Sequence, residues 1–159
     1  MADRVREAHP EVVGAGRVQA WVVGSGGGQS AGDELASAID DRVALVVDAD
    51  ALQHVEGQFR GQAVLTPHAG ELATMLREDR RAIEARPLEF ARRAAVKYGA
   101  VVLLKGRRTV VARPDGRVRI NTTGTEWLAT AGAGDVLGGV IGALLAAGLT
   151  PYDAASAGA

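Results

Sequence analysis

The sequence predicts an α/β fold: an open, mainly parallel sheet with helices on both faces. Two observations carry this. Short apolar runs alternate with segments of helical periodicity along the 159 residues, the pattern of strands joined by crossover helices. Hydrophobic residues make up 47% and charged residues 23%, a globular balance rather than a disordered one. The length is that of one domain. Aromatics contribute only 4%, so the core is expected to consist of Val, Leu, Ile and Ala.

Each element has its own signal. Val18 to Val23 is an apolar run ending in the glycine cluster Gly24-Ser25-Gly26-Gly27-Gly28, read as a buried strand and a loop. Ser30 to Asp40 carries Leu35, Ala38 and Ile39 at helical spacing. Arg42 to Val47 is a second strand, followed by Asp48-Ala49-Asp50, and Ala63 to Thr66 is a third, stopped by Pro67. Helices are expected over Ala69 to Leu76 and Pro87 to Tyr98. Pro87 suits a first turn and Gly99 a helix stop. Val101 to Lys105 is a fourth strand. Thr109 to Arg113 and Arg117 to Ile120 flank the turn Pro114-Asp115-Gly116, a β-hairpin. Asn121 to Ala133 reads as a polar loop. Asp135 to Ala147 is apolar nearly all round, which predicts a buried helix, and Pro151 opens another.

The composition narrows the function classes. Basic and acidic residues number 18 and 19, which leaves no electrostatic footprint for nucleic acid or an anionic membrane. Lys105 to Arg119 is locally basic, but no aromatic interleaves for base stacking and the hairpin puts many of these side chains on a solvated face. With no cysteine, disulfides, thiolate metal sites and cysteine nucleophiles drop out. The first ten residues lack the apolar core of a signal peptide. The longest apolar stretch, Val136 to Leu149, spans 14 residues, short of the ~20 a membrane helix needs. A cytoplasmic location is expected.

In open parallel sheets, ligands bind beyond the carboxyl ends of the strands. Gly24 to Gly28, Asp48 and Asp50, Pro67 and His68, and Lys105 and Gly106 each follow a predicted strand. Ala131-Gly132-Ala133-Gly134-Asp135 opens the long apolar helix. A helix N-terminus suits phosphate through its free N–H groups and dipole. An aspartate in the first turn would repel phosphate, so Asp135 serves either as a general base or as a helix cap. Lys105, one of two lysines among the 18 basic residues, reads as phosphate-facing, with a strand-end surface lysine as the alternative. Asp48 and Asp50 read as turn formers ahead of an acid pair. Glu71 reads as support for its helix. Thr109 is as readily a strand residue as a ligand contact, and Asn121 a loop residue as a nucleotide contact. His9 and His54 read as surface residues.

The ordered motifs resemble the ribokinase-like superfamily and, within it, the ADP- or ATP-dependent NAD(P)H-hydrate dehydratases. Thr66-Pro67-His68-Ala69-Gly70-Glu71 is similar to that family's T/N-P-H-x-G-E. Asp48-Ala49-Asp50-Ala51-Leu52 matches D-A-D-x-L, Lys105 to Thr109 matches K-G-x-x-T, and Asn121 to Asp135 matches the segment from N-x-T-G to G-x-G-D. The resemblance implies ADP- or ATP-dependent dehydration of (S)-NADHX or (S)-NADPHX, with ADP favoured and Mg²⁺ as the accompanying ion. It implies Asp135 as the catalytic residue. It places nucleotide on Lys105, Gly106, Arg107, Arg108, Thr109 and Gly134, and the hydrate on Gly26, His68 and Asp135. Gly24, Gly28, Asp50, Asn121 and Gly132 are secondary candidates; no residue is assigned as a resident metal ligand. A homo-oligomer and a fused or separate NAD(P)HX epimerase are implied partners. Rival readings are a vitamin or sugar kinase of the same fold, which leaves the T-P-H-A-G-E segment unexplained, and a non-catalytic nucleotide-binding fragment.

Two departures stand out. Ser25 and Gly27 occupy positions where the family usually has Pro and Leu, which predicts a looser substrate pocket. The family's members also carry further sequence on both sides, so the chain reads as an incomplete domain, expected to be marginally stable, prone to associate and nearly inactive alone.

Overall fold

A computed structural model describes residues 7–8, 16–59, 61–122, 130 and 132–159. His9, Thr123, Gly124 and Ala131 lie outside the described residues. Among the described residues, six strands form one sheet in sequential order: β1 Ala20–Val23, β2 Ala44–Val47, β3 Ala63–Leu65, β4 Val101–Leu104, β5 Thr109–Ala112 and β6 Val118–Asn121. The pairs from β1 to β4 are parallel, and β4–β5–β6 are antiparallel. Gly116 has φ +88 and its N–H closes on the Arg113 carbonyl at 3.0 Å, the hairpin turn expected from Pro114-Asp115-Gly116.

Alternation along the strands separates two cores. Leu45, Val47, Leu65, Val102 and Leu104 face α1 (Ala31–Asp40), α2 (Ala69–Leu76) and α4 (Pro87–Tyr98). Val46, Val64, Leu103 and Val111 face α5 (Ala133–Ala146) and α6 (Pro151–Gly158). Side chains alternate faces with period 2, so a central strand covered on both sides must be apolar throughout. The core is mostly aliphatic, as expected, but Phe90 and Tyr98 are buried in it as well. Pro87 opens α4, and Gly99 ends it in a left-handed conformation.

Two expectations are corrected. The short helix α3, Arg80–Ala85, was not expected. Only Ile83 is buried in it, so it carries no periodic signal; Asp79 creates it by accepting hydrogen bonds from the N–H groups of Arg81 and Ala82. After β2, Ala49–His54 folds as a 3₁₀ turn. The helix α5 is not buried all round. Val136 is 69% and Val140 43% exposed, because α5 packs one face onto β1 and β2 at the sheet margin. That packing is close: a Cβ at Gly142 would lie 2.6 Å from Val22.

At the far side, α6 is fixed by charge as well as packing. Thr150 caps it through the Asp153 N–H, and Arg119 on β6 reaches Asp153 at 2.8 Å. The Thr150 hydroxyl, then the Arg119 guanidinium, hold the Asp153 carboxyl below its usual range. Arg119 also stacks over the Tyr152 ring, 4.3 Å from its centroid. No helix among the described residues is long and apolar enough to cross a membrane.

Candidate active site

Parallel registry brings the strand ends to one edge. The Asp48 N–H donates to the Val23 carbonyl (3.0 Å), Thr66 to Val47 (3.0 Å) and Lys105 to Pro67 (2.8 Å). Each candidate cluster therefore starts where the neighbouring strand stops. The N-terminus of α5 arrives at the same edge. A Cβ on Gly134 would lie 3.3 Å from Asp48 Oδ2 and 3.9 Å from Lys105 Nζ, so Lys105 and Gly134 share one edge, and a larger residue at 134 would press into the pair.

At the centre Lys105 Nζ donates to Asp48 Oδ1 at 2.7 Å and lies 4.0 Å from Glu71 Oε2. Asp48 is 6% exposed. It is thus a buried counterion rather than the turn former expected from sequence, and Lys105 enters the site already matched by a carboxylate. Asp50 does hold a turn: its Oδ2 accepts from the Gly28 N–H at 2.9 Å. Removing one member of a buried pair strands the other. Lys105→Met is therefore expected to lower stability by about 2–3 kcal/mol, below the usual range for a fully buried pair because Lys105 is partly exposed. Urea denaturation would show this, with at least half of the loss regained in the Asp48→Asn/Lys105→Met double variant.

His68 is committed on one side. Its Nδ1 accepts from the N–H groups of Gly70 (3.0 Å) and Glu71 (3.1 Å), while Glu71 Oε2 accepts from the His68 N–H at 2.7 Å. This is a reciprocal cap of α2, and it gives Glu71 the structural role expected of it. The Nε2 of His68 remains on the exposed side, 3.5 Å from Glu71 Oε1.

A cleft of about 740 Å³ opens beside this edge, lined by His68, Lys105, Gly106, Arg107 and Arg108, with Arg80, Ile83 and Glu84 from α3 opposite. That volume is in the range of small-molecule sites. Arg80 and Glu84 were missed because α3 was missed. The cleft joins His68, expected on the hydrate side, to Arg107 and Arg108, expected on the nucleotide side. Gly134 lies at the Asp48–Lys105 pair instead, and Thr109 opens β5 opposite Asn121. The Asn121 amide donates to the Ala159 carbonyl at 2.7 Å.

The glycine loop is held by hydrogen bonds and is close-packed at Gly24 and Gly27. Gly24 O accepts from the Asp50 N–H (3.2 Å) and the Gly27 N–H (3.4 Å). A Cβ on Gly27 would lie 3.0 Å from that of Ala31, so α1 fills the space a larger residue would take. Gly26 and Gly28 have φ +65 and +50, and Gly132, at φ +89, starts α5 without a side-chain cap. Ser25 Oγ donates to Asp135 Oδ1. In the sequence Ser25 stands out only as a departure from the family's loop; the signal it offers is a lone hydroxyl in a glycine loop at a strand end.

The sheet order and the edge-on site define a ribokinase-like α/β domain, as in solved relatives. A family model described as NAD(P)H-hydrate dehydratase matches residues 1–159, and the chain belongs to that family. It is 46% identical to the bifunctional NAD(P)H-hydrate repair enzyme Nnr of Mycobacterium tuberculosis, over 94% of this chain and 33% of that protein. It is 40% identical to the ADP-dependent (S)-NAD(P)H-hydrate dehydratase of Neisseria meningitidis, over 89% of this chain and 52% of that one. The crystal structure of the ADP/ATP-dependent NAD(P)H-hydrate dehydratase from Bacillus subtilis, co-crystallised with ATP/Mg²⁺ and soaked with CoA, superposes with a TM-score of 0.81. That match has 27% identity and covers 99% of this chain and 64% of that one. The chain thus spans a third to a half of the length of these two relatives.

Proposed function

We propose that the protein supplies the nucleotide-dependent dehydratase step of nicotinamide cofactor repair, converting (S)-NADHX or (S)-NADPHX to NADH or NADPH with ADP, or ATP, as phosphoryl donor. The observation that carries this is the meeting of Asp135, Gly134 and the Asp48–Lys105 pair at one sheet edge, in a chain of this family. Asp135 takes the proton of the hydrate's hydroxyl as that oxygen attacks the terminal phosphorus of the nucleotide. The bond to the leaving nucleotide breaks, giving AMP from ADP. The carbon–oxygen bond then breaks with loss of the neighbouring ring proton, releasing inorganic phosphate and restoring the double bond. Lys105, Arg107 and Arg108 offset charge on the transferring phosphoryl group, with the α5 dipole behind it.

Among the described residues no group of three His, Asp or Glu side chains is placed to hold a metal. Mg²⁺ commonly keeps several waters and is held largely through substrate phosphates, which suits a site whose buried carboxylate, Asp48, is already paired with Lys105. When bound, the ion would supply charge neutralisation at the phosphates.

The M. tuberculosis relative is named as bifunctional, and this chain covers a third of it. We read the second activity as the NAD(P)HX epimerase, fused or separate, in a cytoplasmic and oligomeric enzyme. The test is NADH formation from (S)-NADHX with ADP or ATP, followed at 340 nm in the full-length protein. Nucleotide-dependent appearance of NADH with one phosphate released per turnover is expected. Nucleotide binding without NADH formation would defeat the proposal.

A further inference from the structure

We propose that Ser25 is a positioning residue for Asp135, an inference that rests on the catalytic reading of Asp135. The two residues stand 110 positions apart in sequence, and the Ser25 hydroxyl donates to Asp135 Oδ1. Asp135 lies in the first turn of α5, whose N-cap is Gly132 and carries no capping side chain. A carboxylate there has a competing option: folding back onto the free N–H groups of its own helix. A donor from outside the helix draws it away from that option and leaves Oδ2 to meet a substrate hydroxyl.

The donor is itself held. Asp50 Oδ2 fixes the Gly28 N–H at 2.9 Å, and Gly24 O takes the N–H groups of Asp50 and Gly27. Ser25 therefore projects from a clamped loop, not a free one. The link runs Asp50 to glycine loop to Ser25 to Asp135, tying the ends of β1 and β2 to the start of α5. A residue without a side-chain donor at position 25 could not make this contact.

The orientation of a reacting group affects the chemical step more than binding. Ser25→Ala in the full-length protein is expected to lower kcat about tenfold, with the KM of nucleotide and of hydrate within about twofold. Ser25→Thr, which keeps the hydroxyl, is expected to restore kcat to within about threefold of the parent. The melting temperature of Ser25→Ala should move by less than about 2 °C, since an exposed hydroxyl contributes little stability. Asp135→Asn, assayed alongside, separates the failures. Parent-like kcat in Ser25→Ala with an inactive Asp135→Asn would overturn the positioning role alone. Parent-like turnover in Asp135→Asn would overturn the catalytic reading and the positioning role with it. Loss of kcat and rise of KM together, unrescued by Thr, would mark Ser25 as merely structural and also overturn the proposal.

Discussion

Asp135→Asn is expected to lower turnover by ~10²–10⁴-fold, the usual contribution of a general base, while nucleotide affinity stays within about tenfold. The substitution is close to isosteric. An asparagine Oδ1 still accepts from the Ser25 hydroxyl, so the orientation of the side chain is kept and only its ability to take a proton is lost. Removing a negative charge from the mouth of a phosphate-binding helix does not weaken binding of a polyanion. A capping role for Asp135 predicts the opposite pattern: small losses of stability and intact chemistry. Steady-state kinetics with calorimetric titration of ADP would separate the two. Near-normal turnover would remove Asp135 from the mechanism.

The parallel part of the sheet, β1 to β4, was legible because these strands are short, apolar and bounded by glycine, aspartate or proline, and because parallel order forces their ends to one edge. Helix α4 was legible from Pro87 and Gly99. Helix α3 was not, since one buried residue, Ile83, cannot produce a period; Asp79 was the only signal. The environment of Asp48 was not legible either. An aspartate after a strand is usually a turn former, and its partner Lys105 lies 57 positions away. Pair distances of that kind are tertiary facts, created only when β2 and β4 are set on either side of β3. The exposure of Val136 and Val140 has the same origin. Periodicity reports which faces of a helix are apolar, and the sheet margin decides which of them are covered.

Gly24→Ala is expected to destabilise the protein by about 3–5 kcal/mol, combining left-handed backbone strain with overpacking. Gly24 has φ +110, and a Cβ there would lie 1.9 Å from the Asp48 carbonyl oxygen, 2.7 Å from the Ala51 Cβ and 2.9 Å from the Ala51 N. None of these is the flexible end of a side chain, so the backbone itself must move. The nearest backbone to move is that of Asp48 and Ala51, which carries the counterion of Lys105, or that of the loop, which carries Ser25. Stability and the site are therefore expected to fail together. At about 2–4 °C per kcal/mol for a chain of this size, the melting temperature should fall by roughly 6–20 °C. Gly26→Ala is the control. Its φ is +65 but the Cβ would meet nothing within 4 Å, so only the local cost of a left-handed alanine applies, about 1 kcal/mol. Circular-dichroism melts of the two variants measure the difference. Equal melting temperatures would mean that the Gly24–Asp48 approach is not tight in solution, and the loop would then lack the rigidity needed to hold Ser25 against Asp135.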